Sequence, residues 1–199
     1  MSGADVVIIG SGGANLASLH YALERLGARS LVSADPDVIA SAPRLLLPGV
    51  GAAADAMTRL RASGLTAAIR AARQPLLGIC LGMQLLYEHS EEGAAPGLGV
   101  VRGTVRRMPA APERPVPHMG WNTCRPLRSD PLFAGIGDEE YFYFVHSYAA
   151  ALTDSASAAV DYGAPWCAAM RSGNFCGVQF HPERSGRAGA RVLRNFLES

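Results

Sequence analysis

Residues Pro75 to His89 constrain the fold of this chain more than any other stretch. Leu76-Leu77-Gly78-Ile79 is the kind of short apolar run expected of a strand buried on both faces, and Leu81, Leu85 and Leu86 then recur at helical spacing. Between them stands Cys80, with Gly78 and Gly82 two residues to either side. A strand that turns directly into a helix through Gly-x-Cys-x-Gly needs glycines for its sharp backbone, and it lifts the thiol off the sheet edge. The helix, read as far as His89, would also set that thiol at the positive end of a dipole, where a thiolate is favoured. The competing reading is a free cysteine buried as a small apolar group.

The segments before it repeat the strand-then-helix pattern. Val6 to Ile9 is a fully apolar run followed by the glycine loop Gly10-Ser-Gly-Gly-Ala-Asn15, and Leu16, Leu19, Leu23 and Leu26 then share one helical face that Gly27 terminates. Further strands are expected at Ser30 to Val32 and Arg44 to Leu47, with Pro36 and Pro43 punctuating the connection, and helices at Ala52 to Leu60 and Leu65 to Arg73. Strands alternating with helices imply a parallel sheet with right-handed crossovers, in which sites gather at the carboxyl ends of the strands. Both Pro48-Gly-Val-Gly51 and Cys80 fall at such ends. The glycine loop after the first strand also suggests a dinucleotide fingerprint, but Asn15 replaces its third glycine and Asp35 is only loosely placed as a ribose ligand.

Beyond Gly93 the texture changes to short strands separated by Gly and Pro: 98–106, 117–124, 141–148, 158–161, 166–170 and 175–180. Met170-Arg-Ser-Gly-Asn-Phe175 has hairpin chemistry, which requires antiparallel pairing there. A closing helix from Arg187 to Leu197 presents Ala188, Val192, Leu193, Phe196 and Leu197 inward. No linker divides the chain, so residues 1–199 are read as a single domain.

Composition removes several function classes. The chain contains no lysine, which excludes Schiff-base chemistry, a pyridoxal phosphate anchor and a P-loop lysine. A net charge of +1 with scattered arginines argues against nucleic acid or a membrane surface as partner. Four cysteines without C-x-x-C spacing suit neither a zinc site nor a disulfide framework, and no metal is expected at His118 or His146. With no leader and no apolar run of spanning length, a reducing, cytoplasmic setting is expected.

A partner for Cys80 stands at the end of the last strand, in Gly177-Val-Gln-Phe-His181-Pro-Glu183. Pro182 places His181 and Glu183 where the chain leaves the sheet, and their two-residue spacing lets them project to the same side. An imidazole beside a thiol takes its proton, and a carboxylate behind the ring fixes the tautomer and stabilises the imidazolium.

The segments Gly78-Ile-Cys-Leu-Gly-Met-Gln84 and Gly177-Val-Gln-Phe-His-Pro-Glu183 closely resemble the two signatures of the triad-type (class I) glutamine amidotransferases. Leu47-Pro-Gly-Val-Gly51, Pro117-His-Met-Gly-Trp-Asn122 and Tyr143-Phe-Val-His-Ser-Tyr148 make the chain similar, within that superfamily, to the glutaminase subunits of imidazole glycerol phosphate synthase, over nearly its whole length. The resemblance implies an α/β, flavodoxin-like fold with a mostly parallel central sheet flanked by helices, and it requires no cofactor. It implies that Cys80 attacks L-glutamine to form a thioester, with His181 moving protons and Glu183 orienting it. The amide of Leu81, together with that of Val50 or Gly51, would hold the oxyanion. Gly49, Gln84, a carboxylate at Glu91-Glu92 (Glu92 preferred), Ser147 and Tyr148 would bind substrate. His118, Trp121 and Asn122 would meet a cyclase subunit in a heterodimer, where the ammonia converts PRFAR to imidazole glycerol phosphate and AICAR in histidine biosynthesis.

Three positions depart from the family pattern: Gly10-Ser11-Gly12 stands for Asp-Tyr-Gly, Ala53 for Phe and Arg184 for Lys. The Arg184 exchange keeps the charge and changes its hydrogen-bonding geometry. The rival readings are another class I amidotransferase, a stand-alone cysteine hydrolase on the same fold, and a non-catalytic nucleotide or amino-acid sensor.

Overall fold

The computed structural model of the chain describes residues 3–10 and 16–199. Its first half runs β1 (Val6–Ile9), α1 (Leu16–Arg25), β2 (Ser30–Ser33), α2 (Pro36–Ser41), β3 (Leu45–Gly49), α3 (Ala53–Ala62), α4 (Leu65–Ala71), β4 (Leu76–Cys80) and α5 (Leu81–Leu85). The second half is mainly strand: β5 (Tyr87–Ser90), β6 (Ala95–Pro96), β7 (Val101–Arg107), β8 (His118–Thr123), β9 (Arg125–Pro126), β10 (Tyr141–His146), β11 (Tyr148–Ala150), β12 (Ala156–Asp161), β13 (Pro165–Ser172) and β14 (Phe175–Val178). The helix α6 (Gly186–Leu197) follows.

The principal sheet has the order β2-β1-β3-β4-β14-β13-β12-β9. Its strands from β2 to β14 are parallel, and β13, β12 and β9 extend it antiparallel, as the hairpin chemistry at 170–175 requires. Period-two alternation divides the apolar runs between two cores. Val6, Ile8, Leu46 and Leu77 pack with Leu23 of α1 and with Val192 and Phe196 of α6; Val7, Ile9, Leu45 and Leu47 pack with Met57 of α3 and Ile69 of α4. Helices therefore cover both faces, which is why these strands carry no polar side. Each such Leu, Ile or Val contributes about 1.5–3 kcal/mol by its burial.

Local expectations failed where tertiary pairing took over. The helix expected through His89 stops at Leu85, and Tyr87–Ser90 pairs with β7 instead, with Tyr87 and Ser90 buried and Glu88 turned to solvent. The strand expected over 141–148 is cut at Ser147: β10 forms a ribbon with β8, while β11 joins a second sheet of order β11-β7-β5-β6. Asp35, weighed as a ribose ligand, is the N-cap of the unforeseen helix α2 and accepts the Asp37 N–H at 2.8 Å. Most of the glycine loop that prompted that idea, Ser11–Asn15, lies outside the described residues. No helix among the described residues is long and apolar enough to cross a membrane.

Candidate active site

The register of the parallel strands assembles the site. Gly49 at the end of β3 pairs with Cys80 at the end of β4, and Val178 of β14 pairs with Ile79, so that His181 leaves the sheet beside Cys80. Cys80 adopts φ 52° and ψ −111°, a backbone region that a residue with a side chain rarely occupies. Glycines permit it. A Cβ on Gly82 would land on the Leu47 carbonyl, and one on Gly78 would meet the Met83 nitrogen at 2.7 Å, so α5 can lie this close to the sheet only with glycine at both positions. Because α5 has only five residues, it sums few peptide dipoles, and the dipole contribution expected from a longer helix is correspondingly small.

The polarisation at the sulfur comes instead from side chains. His181 borders the cleft beside Cys80, which favours a charged imidazole, and its Nδ1 donates to Glu183 Oε1 at 2.8 Å. Burial works against a charged ring, but the interactions with Cys80 and Glu183 outweigh it and raise the His181 pKa to about 10. The ring is held at its backbone as well: the His181 N–H donates to the Tyr143 carbonyl at 2.9 Å, and its carbonyl accepts the Ser185 hydroxyl at 2.6 Å. Glu183 and Arg184 sit in the 3-10 turn Pro182–Arg184, and the Arg184 guanidinium lies 4.7 Å over the Tyr143 ring.

These groups border a cleft of about 330 Å³. Every residue expected to bind substrate or to hold an oxyanion lines it: Gly49, Gln84, Glu92, Ser147 and Tyr148, together with Val50, Gly51 and Leu81. Gly51 takes φ +87° with open space around it, so its glycine serves the conformation of the turn rather than a close approach. Glu92 has a second task. Helix α3 begins without a side-chain cap of its own, and the Glu92 carboxylate accepts the Ala53 N–H at 2.9 Å. The neighbouring Glu91 points elsewhere, accepting the Arg107 N–H at 2.9 Å.

The expected partner residues divide between two faces of β8. Trp121 is 55% exposed and stacks edge-on against Tyr143, with Met119 beside it on the same face and 62% exposed. His118 alternates to the opposite face and is buried between Phe144 and Tyr162, so it supports that surface from behind. Asn122 is half-buried and donates to the Asp161 carbonyl at 3.1 Å. Met119 was missed, although strict alternation from Trp121 marks it.

Behind the site runs a buried polar network. His146 Nδ1 donates to the Tyr148 carbonyl at 2.9 Å, which leaves Nε2 to accept from His118 Nδ1 at 3.3 Å. Burial depresses both rings to a pKa of about 4, and for His146 the nearby His118 and His181 charges add to the effect. Gln179, fully buried, was not foreseen; its amide reaches Cys80 Sγ at 3.7 Å. Its one sequence signal is a polar residue in an apolar strand, two positions before His181. Among the described residues no three His, Cys, Asp or Glu side chains are grouped to hold a metal ion.

The family model described as Glutamine amidotransferase class-I matches residues 7–199. An "Imidazole glycerol phosphate synthase subunit HisH" from Xylella fastidiosa is 53% identical over 98% of this chain and 97% of its own length. A protein of the same name from Xanthomonas euvesicatoria pv. vesicatoria is 54% identical over the same shares. Among solved structures, a glutamine amidotransferase superposes with a TM-score of 0.75 at 22% identity, covering 97% of both chains. The glutaminase domain of a Trypanosoma brucei CTPS superposes with a TM-score of 0.65 at 14% identity, covering 98% of this chain and 94% of that one. At those identities the structures attest the fold, whereas the full-length sequence matches carry the narrower kinship: this chain belongs to the class-I glutamine amidotransferase family, among its imidazole glycerol phosphate synthase HisH subunits.

Proposed function

We propose that this chain is the glutaminase subunit of imidazole glycerol phosphate synthase, hydrolysing L-glutamine to glutamate and passing the ammonia to a cyclase subunit. The observation that carries the reading is the Cys80–His181–Glu183 alignment on one wall of a cleft whose other walls are Pro48–Gly51 and Ser147–Tyr148. Glutamine enters with its carboxamide at Cys80. The sulfur forms a bond to the amide carbon as His181 holds the thiol proton, and the carbonyl electron pair moves to oxygen. The Leu81 N–H and the Val50 or Gly51 N–H receive that oxyanion. Collapse breaks the C–N bond, His181 gives its proton to the departing nitrogen, and ammonia leaves a thioester behind. A water then attacks the thioester, His181 takes its proton, and breaking the C–S bond releases glutamate and restores the thiol. Glu183 keeps the Nδ1–H of His181 pointed away from Cys80 throughout, so that Nε2 alone exchanges protons with substrate and sulfur.

Ring formation belongs to the cyclase, a (β/α)₈ barrel on the family resemblance. The surface around Met119 and Trp121 on β8 is the docking face in this reading, since it exposes large apolar side chains, and Trp121 shares the Tyr143 ring with Arg184, which lines the cleft. Four buried free cysteines agree with a reducing, cytoplasmic setting. The test is co-purification with the cyclase and assay of the pair. Cys80→Ala abolishes glutamine-dependent synthesis and spares ammonia-dependent synthesis; glutamine turnover retained by that variant overturns the assignment of Cys80.

A further inference from the structure

The mechanism uses His181 at the sulfur, but two further groups stand against it: the Val145 carbonyl, to which the Cys80 thiol donates at 3.9 Å, and the Gln179 amide. Gln179 Nε2 lies 3.7 Å from Cys80 Sγ, and Gln179 Oε1 accepts from Gln84 Nε2 at 3.0 Å. The same Gln84 nitrogen donates to the Tyr148 carbonyl at 2.8 Å. A backbone carbonyl can only accept, and this fixes the direction of the whole chain of bonds. Gln84 must turn its amide nitrogen to Tyr148, its second N–H then faces Gln179, and Gln179 must answer with oxygen. The end of Gln179 that remains for the sulfur is therefore a donor.

We infer that Gln179 is a positioning residue for the Cys80 sulfur, presenting a fixed N–H that selects the attacking rotamer and stabilises negative charge on it. A neutral thiol has little use for such a donor, because its own proton points at the Val145 carbonyl and sulfur is a weak acceptor. A sulfur that has given its proton to His181 is anionic, and a buried N–H aimed at an anion makes a charge-assisted bond of about twice the usual strength. Two donors then flank the charge, one mobile and one fixed. When the His181 proton departs with ammonia, the Gln179 donor stays in place. Because Gln84 also borders the glutamine cleft, its side chain links substrate binding to the orientation of the donor at the sulfur.

This inference rests on Cys80 being the nucleophile, and the experiment separates the two claims. Iodoacetamide labels the folded chain, and peptide mapping assigns the label; of the four buried cysteines Cys80 borders the cleft, whereas Cys124, Cys167 and Cys176 do not and serve as internal controls. Gln179→Met fills the same space without a donor. Its labelling at Cys80 at neutral pH should slow about 10- to 100-fold, with kcat of the cyclase complex falling in step and KM for glutamine changing less than about threefold. The ultraviolet absorbance of the thiolate should fall with it. If Gln179→Met does not fold, Gln84→Met replaces it: it frees the Gln179 amide to rotate, and the expected loss of labelling is smaller but of the same kind. Labelling at the wild-type rate in the folded variant overturns the inference, as does a loss confined to thermal stability. Turnover surviving in Cys80→Ala refutes the nucleophile itself, whatever Gln179 does.

Discussion

Acid should unfold this protein through the paired imidazoles of His118 and His146 before its carboxylates begin to matter. Burial lowers both rings from 6.5 to about 4, so the unfolded chain binds more protons than the folded one throughout that interval. The span is about 2.5 pH units, each worth about 1.4 kcal/mol per group. At pH 5 the unfolded histidine is almost wholly protonated and the folded one hardly at all, which gives a loss of about 2 kcal/mol for the deeply buried His146 and less for His118 after screening, about 3 kcal/mol for the pair relative to pH 7. Against a domain stability of about 5–15 kcal/mol that is a large effect. Other groups with shifted pKa values change little in this window. His181 has a raised pKa, so its contribution is lost as pH rises from about 6.5 toward 10 and grows slightly between pH 7 and pH 5, offsetting the loss by less than about 1 kcal/mol. Asp130, held low by Arg171 and by the Leu132 N–H against the cost of its burial, loses its contribution only below about 3.8. Urea titrations at pH 7, 6 and 5 measure the slope. In His118→Phe, which keeps a ring between Phe144 and Tyr162, the drop should shrink to about 2 kcal/mol, since one titrating group of two is gone. Equal stability at pH 7 and pH 5, or an undiminished slope in His118→Phe, would refute this account.

Four further substitutions test other parts of the structure. Glu183→Gln should reduce kcat by about 10²- to 10⁴-fold with little change in KM, because the His181 ring loses the charge that stabilises its imidazolium and fixes its tautomer. Gly82→Ala should prevent stable folding, as its Cβ collides with the Leu47 backbone and α5 cannot withdraw without moving Cys80; thermal melting of the purified variant decides this. In Gly51→Ala the space is open but the left-handed conformation is not, so about 1 kcal/mol of strain should bias the turn toward another backbone state and change kcat without changing the melting temperature by more than a few degrees. Trp121→Ala should weaken binding to the cyclase by at least 10-fold, as expected for an exposed aromatic anchor, while leaving iodoacetamide labelling of Cys80 unchanged.

The parts of this molecule legible in the sequence are those whose physics is local or strictly periodic. Val6–Ile9, Leu45–Leu47 and Leu76–Ile79 read as strands buried on both faces because nothing polar interrupts them, and helices on both sides of the sheet are what that pattern demands. The hairpin at Gly173 announced itself by its turn residues, and Cys80 by its flanking glycines. The elbow helix was overextended because Leu81, Leu85 and Leu86 satisfy a helical period for a single turn, and only pairing with β7, distant in the chain, draws Tyr87 into a strand. Ser147 gave no sign of cutting one long strand into two that serve different sheets.

Polar residues were placed less well than apolar ones, and the reason lies in how each is constrained. An apolar side chain needs only a buried face, which alternation supplies. A polar side chain needs a partner of the right sense, and that partner is usually remote. Glu92 was expected at the substrate, and it does border the cleft, yet its carboxylate is also tied to the uncapped start of α3, 39 residues away. His118 was grouped with Trp121 although adjacent register positions one or three apart lie on opposite faces of a strand, so the histidine packs behind the surface that the tryptophan presents. Gln179 is the limiting case. Its position two residues before His181 in the strand exit places it near Cys80, but whether it offers the sulfur a donor or an acceptor depends on the Tyr148 carbonyl, 64 residues from the Gln84 side chain that bonds it. Sequence brings the right residue to the sulfur; the sense of its hydrogen bond is a property of the folded network alone.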